Sequence, residues 1–298
     1  MPNWRGGAAL FRRKQRTCAP TCRREIEGSV VREENPPFLP GIAGDKELFT
    51  EALKRDPLHP LFRSYRTYME MLFSGNLKRE QVEMVVNSRA AHRDTILGVP
   101  TAYGYATHEM AGFFSYGHAY GLIQYDFVPR YLLTLYSLMA HQYTRGGWVA
   151  PETRDVGLQR PAAPYCTPAQ LVVPMLTRWM LAFEDPESDT VWLAKGTPRS
   201  WLENGKAIAV TGAPTRFGQL GFKLASSLNT DRVSGEVTLP SAFHGSVKLR
   251  CRVPGARKIS SVELNGRTWQ QFSAEEETIT LPPRSSGRQT LTVHYLAQ

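Results

Sequence analysis

The sequence predicts an α+β multidomain protein, helices first and an antiparallel β-sandwich second. Two observations carry this reading. Between about residues 45 and 183 apolar side chains recur at three-to-four spacing, the period of a helix with one buried stripe. Past Asp185-Pro186-Glu187 the period falls to two, and short β-branched or apolar runs alternate with Gly, Pro, Asn and Ser clusters. The expected organisation is a basic, disordered leader over 1–44, a helical domain over 45–187 and a sandwich over 188–298.

Residues 1–24 hold seven positive side chains (Arg5, Arg12, Arg13, Lys14, Arg16, Arg23, Arg24) and no acid, so only +2 of the net charge of +9 belongs to the rest of the chain. An arginine-rich, acid-poor start reads as a disordered leader; a nucleic-acid tail or an organelle-targeting segment are the alternatives. With the charge confined to that tail, no nucleic-acid partner is expected for the body of the chain. The Pro-rich ENPPFLPG at 34–41 cannot stay helical. Helices are expected over 47–54, stopped by Asp56-Pro57, over 59–73, ended by Gly75, and over 78–92, with Asn76 placed as a cap. Gly98 to Pro100 breaks the chain.

A stronger helix is expected over 127–143, where Phe127, Tyr131, Leu135 and Leu138 share a face. Asp126 is placed to cap it and Pro129 falls in its first turn. After a loop at 149–166, Thr167-Pro168 opens a helix reaching Phe183 that is apolar nearly all round and therefore expected in the interior. Strands are expected over 190–194, 207–210, 218–224, 232–239, 246–253, 259–264, 278–281 and 290–295. Asn265-Gly266 is a hairpin turn that needs positive φ at both positions. Strands this short and this regularly spaced make a sandwich.

At 298 residues, with 42% hydrophobic and 21% charged residues, the chain has the composition of a folded protein with room for two domains. No run of eighteen apolar residues spans a membrane, and residues 1–22 lack the apolar core of a secretory signal. No membrane partner is expected, and the compartment stays open. Four cysteines (Cys18, Cys22, Cys166, Cys251) have neither zinc spacing nor a disulfide framework, and Cys251 alternates with Val247, Leu249 and Val253 as a small buried residue. His108 and His118 have no third ligand at metal spacing, so no metal is expected. Neither a phosphate-binding glycine loop nor a GxSxG elbow is present, and no cofactor is expected.

Two segments at the helix-to-strand junction, GTPRSWLENGK at 196–206 and APTRFG at 213–218, resemble those that open the C-terminal β-sandwich of large six-hairpin glycosidase-like proteins. In that family an (α/α)6 toroid precedes the sandwich. The run YGHAYGLIQYDFVPRYLLTLYSLMAHQYTRGGWVAPETR is similar to the last hairpins of those toroids. The resemblance covers roughly residues 45–298. It implies a partial (α/α) toroid, because a whole ring takes twelve helices and five or six are expected here. The chain is then a fragment of a longer enzyme or a shortened version of one, and another chain is a candidate to complete the ring. Full-length relatives of this kind are often exported.

The same resemblance implies a carbohydrate ligand, and glycoside hydrolysis needs a carboxylic acid for the leaving oxygen and a second carboxylate. Residues 101–148 hold eight of the twelve tyrosines and three of the seven histidines, and tyrosine offers sugars a flat apolar face with a hydroxyl. Glu152, in WVAPETR beside a tryptophan and an arginine, is the first catalytic candidate; an ion pair with Arg154 or Arg145 is its structural alternative. Glu109, in YATHEM, is the second, since aromatic and small neighbours desolvate a carboxyl and raise its pKa; its alternative is a helix-start capping box with Thr107. His118, between Gly117 and Gly121, is a third candidate or a packed core residue. Tyr103, Tyr105, His108, Tyr116, Trp148 and Arg154 are candidate substrate contacts, with core packing as the alternative for the aromatics. Two other functions stay open. A polysaccharide lyase would rely on Tyr116 or His118, and a glycan-binding remnant would keep the aromatic surface without turnover.

Overall fold

The computed structural model describes residues 20–21, 23–40, 46–58, 60, 65–102, 108–144, 146–156 and 165–297. The chain forms two compact units, the first up to Met175 and the second Leu176–Gln298.

The first unit is helical. Helices α1 (Phe49–Arg55), α2 (Tyr65–Phe73), α3 (Arg79–Ala91), α4 (Ser115–Gln124) and α5 (Val128–Ser137) follow one another, α5 runs on as a π-helical turn Leu138–Gln142, and α6 (Thr167–Leu181) ends the series. Small strands sit between them: β1 (Thr95–Ile96) and β2 (Val99–Pro100) form a hairpin, and β3 (Glu109–Met110) pairs with β4 (Arg154–Asp155). The α4–α2 contact is close because Gly117 has no side chain. A Cβ there would overlap the Met69 carbonyl oxygen. The close approach that glycine permits at this position is therefore made by a neighbouring backbone.

Several local features depart from expectation. Part of the expected leader is folded: Val31 bridges Phe38, and Leu39, 1% exposed, accepts a hydrogen bond from the Tyr68 hydroxyl. The apolar residues Val30, Val31, Phe38 and Leu39 supply burial that the charge count conceals. Helix α3 is closed by Gln81, whose side chain accepts the Lys78 amide at 2.8 Å, rather than by Asn76. The N-cap of α5 is Phe127, and Asp126 precedes it with φ of +63°. Helix α6 is not interior all round, since Leu171 is exposed and Pro174 lies within it. Apolarity by itself does not say which residues are covered.

The second unit is a sandwich of two sheets. The first has the order β13–β14–β10–β6–β5 and the second β12–β11–β15–β9–β8–β7. In chain order these strands are β5 (Ala182–Glu184), β6 (Thr190–Leu193), β7 (Ala207–Thr215), β8 (Gly218–Ser227), β9 (Arg232–Leu239), β10 (Ser246–Arg250), β11 (Ile259–Leu264), β12 (Arg267–Trp269), β13 (Phe272–Ser273), β14 (Thr278–Thr280) and β15 (Gly287–Tyr295). All pairs are antiparallel except β6–β10. Alternate residues of both sheets, among them Val191, Leu193, Phe222, Val237, Leu249, Cys251 and Val293, meet in one core. Asn265 and Gly266 have φ of +50° and +73°, the pair of left-handed residues that an Asn-Gly hairpin needs. Expected strand positions and observed ones agree closely because a period of two leaves little freedom in which face is buried.

The junction motifs tie this unit together. The Arg199 guanidinium holds Glu277 through both carboxylate oxygens and also donates to the Val253 carbonyl at 2.9 Å. The Arg216 amide donates to Glu184 at 2.9 Å, and its guanidinium reaches the Asp185 and Ser188 carbonyls. Planar guanidinium forks suit such multiple acceptors.

Candidate active site

The site is built from a three-stranded patch. Ala102 donates to the Glu109 carbonyl at 2.9 Å and Ala111 to the Pro100 carbonyl at 2.8 Å, so residues 100–102 flank β3 on one side. On the other side β4 runs antiparallel to β3, with Glu109 opposite Asp155 and Met110 opposite Arg154. The Val156 amide donates to the His108 carbonyl at 2.9 Å. That bond makes Glu109 and Asp155 a non-hydrogen-bonded pair, the arrangement in which directly opposed side chains come closest.

Two acids therefore face one another across the ladder. Burial raises the Glu109 pKa above its ordinary value, and the neighbouring Asp155 raises it further. One carboxylate oxygen of each, Glu109 Oε2 and Asp155 Oδ1, is buried without a hydrogen-bond partner. So are Gln142 Oε1 and Thr153 Oγ1 in the adjoining turns. Buried polar atoms without partners are uncommon and call for an explanation. Four of them belong to the separate segments that build this patch, residue 109 on one side and residues 142–155 on the other.

The scaffold beneath is ionic. Arg89 Nε stands 2.6 Å from Asp94 Oδ2, both side chains being buried, and Asp94 Oδ1 accepts the Thr101 hydroxyl at 2.8 Å. Thr101 in turn bridges Met110 of β3. On the far side, the π-helical turn sends Gln142 to the Pro151 carbonyl, where its side chain runs over Gly112. A π-turn changes the direction of the side chains at its end, here Gln142 within it and Tyr143 just after it.

The candidate residues fall in different places. Glu109 lies on β3, so it caps no helix. Glu152 is half-buried three residues before Asp155 and makes no ion pair with Arg154 among the described residues. Arg154 alternates with Asp155 and therefore points to the other face of β4. His108 is exposed at the start of β3. Trp148 is 58% exposed, in a turn closed by Thr144 and Val149. Tyr116, on α4, donates to Glu70 Oε1 at 2.8 Å and meets Phe73 edge-on at 5.1 Å. Burial and that hydrogen bond push its pKa to about 12. His118 is 3% exposed, and burial, with Arg89 and Arg130 as charged neighbours, lowers its pKa to about 3. Its imidazole is neutral. Tyr103 and Tyr105 lie outside the described residues.

Asp155 was missed in the sequence. The motif WVAPETRDV draws attention to Glu152, and nothing local pairs residue 109 with residue 155. The period-two order Thr153, Arg154, Asp155 was the available signal, because it places Thr153 and Asp155 on one side of an extended chain.

No protein-family model matches the chain, and no curated protein matches it. Among solved structures it is similar to a GH127 β-L-arabinofuranosidase from Geobacillus stearothermophilus T6, with TM-score 0.40 and 11% identity over 80% of this chain and 42% of that one. It is also similar to a protein described as a glycoside hydrolase, with TM-score 0.43 and 10% identity over 79% of this chain and 46% of that one. A Streptomyces avermitilis α-L-rhamnosidase gives TM-score 0.40 and 12% identity over 77% of this chain and 21% of that one. The chain spans less than half the length of each of these proteins.

Proposed function

We propose that this chain is a glycoside hydrolase-like, carbohydrate-active protein whose acid pair is Glu109 and Asp155. The observation that carries the reading is the facing of these two carboxyls across β3 and β4, with the Glu109 pKa raised by burial and by Asp155. A carboxyl that keeps its proton serves as general acid toward the leaving glycosidic oxygen, while the ionised partner stabilises or attacks the sugar carbon. A directly opposed pair suits the separation of about 5–5.5 Å used by retaining enzymes better than the roughly 6.5–9.5 Å of inverting ones. His118 is assigned to packing, since a neutral buried imidazole has no open path for its proton. Trp148 and Tyr116 are assigned to the sugar face. The lyase reading needs a tyrosine or histidine base, and a Tyr116 pKa of about 12 makes that phenol a poor one.

The test is a polysaccharide and aryl-glycoside panel on the full chain, with Glu109→Gln, Asp155→Asn and Glu152→Gln beside it. Reducing ends that fall about 100- to 10,000-fold in Glu109→Gln and Asp155→Asn but little in Glu152→Gln are expected, with the first-formed anomer retained by NMR. Loss confined to Glu152→Gln would move the second carboxylate to that position. Unsaturated products would replace the proposal with a lyase. Binding without turnover would leave a glycan-binding protein.

A further inference from the structure

Helix α6 contains Pro174, which has no amide hydrogen to give the Gln170 carbonyl. The Tyr143 hydroxyl supplies that donor. It lies 2.8 Å from the Gln170 carbonyl and 2.8 Å from the Ala169 carbonyl, one proton shared between two acceptors. The same oxygen accepts the Val173 amide at 3.3 Å, the amide whose place in a regular helix is opposite the Ala169 carbonyl. One phenol is therefore set into the helix ladder where the proline interrupts it.

Tyr143 also opens the turn that carries Trp148. Thr144 donates to the Val149 carbonyl at 2.9 Å, the Trp148 amide to the Thr144 carbonyl at 3.0 Å, and the Val149 amide to the Thr144 hydroxyl at 3.0 Å. Trp148 has φ of +51°, a left-handed conformation that is rare and strained for a bulky residue. Its indole is largely exposed and lies 5.9 Å from the Tyr143 ring. A strained backbone that holds a large apolar ring out in water persists only where its surroundings impose it.

We infer that Tyr143 is the positioning residue of a sugar-stacking platform, its hydroxyl in the proline-interrupted turn of α6 holding the turn that presents Trp148. The ligand class is a sugar ring that offers a flat C–H face to the indole, and this part rests on the carbohydrate reading above. The hydroxyl is the essential group. Phenylalanine would pack as well but would take from the Gln170 carbonyl the donor that Pro174 cannot supply, and would leave the turn untied.

The experiment compares wild type, Tyr143→Phe, Trp148→Ala and Tyr143→Phe/Pro174→Ala, all in the full chain. Amide exchange by mass spectrometry needs no ligand. In Tyr143→Phe the amides of Trp148 and Val149 are expected to exchange at least about tenfold faster. In the double variant the alanine returns a donor to Gln170, so α6 regains protection while the Trp148 turn stays loose. Unchanged exchange at Trp148 and Val149 in Tyr143→Phe would overturn the positioning role. Affinity electrophoresis against xylan, arabinan, galactan and β-glucan then reads the ligand class. Retention by one of these polymers, weakened about tenfold in both Tyr143→Phe and Trp148→Ala, is expected. Retention that survives Trp148→Ala would overturn the platform. Altered exchange with no retention of wild type on any polymer would overturn the carbohydrate reading and keep the positioning role.

Discussion

Glu109 carries the sharpest consequence at the scale of single residues. Its carboxyl is held above the ordinary 4.5 by burial and by Asp155. In the window from 4.5 up to the raised value the folded chain keeps a proton that the unfolded chain has released. Folding is therefore weakened as pH rises through that window, and the group costs nothing below it. Glu109→Gln, never charged and similar in shape, is expected to melt above wild type at about pH 7 and level with it at about pH 4. A melting difference that does not change with pH would show that the carboxyl is not perturbed. The possibility of a desolvated Glu109 was legible in YATHEM, because its neighbours are small or aromatic. Its partner was not, because Asp155 reaches it only through strand pairing over 46 positions. His118 shows the opposite case, a residue whose chemistry is suppressed by burial that no local pattern reveals.

At the scale of elements, the helices were legible in the interior and less so at their ends. Apolar spacing located α3 and α5 because one face of each is buried, while the capping of α3 by Gln81 and the π-helical end of α5 depend on individual hydrogen bonds. The glycines of α4 have a structural reason. Gly117 admits the Met69 carbonyl and Gly121 admits Leu72 and Val82. Gly117→Ala places a methyl against backbone that has no rotamer to yield, so a loss of about 3 kcal/mol or more is expected in urea unfolding. A loss below about 1 kcal/mol would mean that α2 and α4 can separate cheaply. In the sandwich the elements were nearly all legible, since hairpin turns and period-two burial reinforce each other. The additional short strands β5, β12 and β13 are edge pieces whose sequences carry too few residues to show a period.

At the scale of the whole molecule, two compact units each have their own core. The sandwich core centres on residues such as Leu249 and Val237, which are fully covered, whereas the helical unit buries an ionic scaffold, Arg89 with Asp94, beneath its candidate site. Leu249→Ala is expected to cost about 2–5 kcal/mol. Leu249 belongs to the second unit and Gly117 to the first, so the double variant is expected to equal the two single losses within about 0.5 kcal/mol. A coupling larger than that, measured by the same urea unfolding, would show that the two units do not respond independently.

The sequence by itself determined the order of helices and strands, the sandwich, the Asn-Gly hairpin and the buried Cys251. Those features depend on local spacing, turn chemistry and composition, which act over a few residues. Only the tertiary structure decided which carboxylates meet, that His118 is sealed in the interior, that residues 23–40 hold buried apolar side chains, and that the Tyr143 hydroxyl completes the ladder around Pro174. Each of these requires groups distant in the chain to share one small volume. Cross-strand facing, desolvation and a borrowed hydrogen bond arise only once that volume has closed.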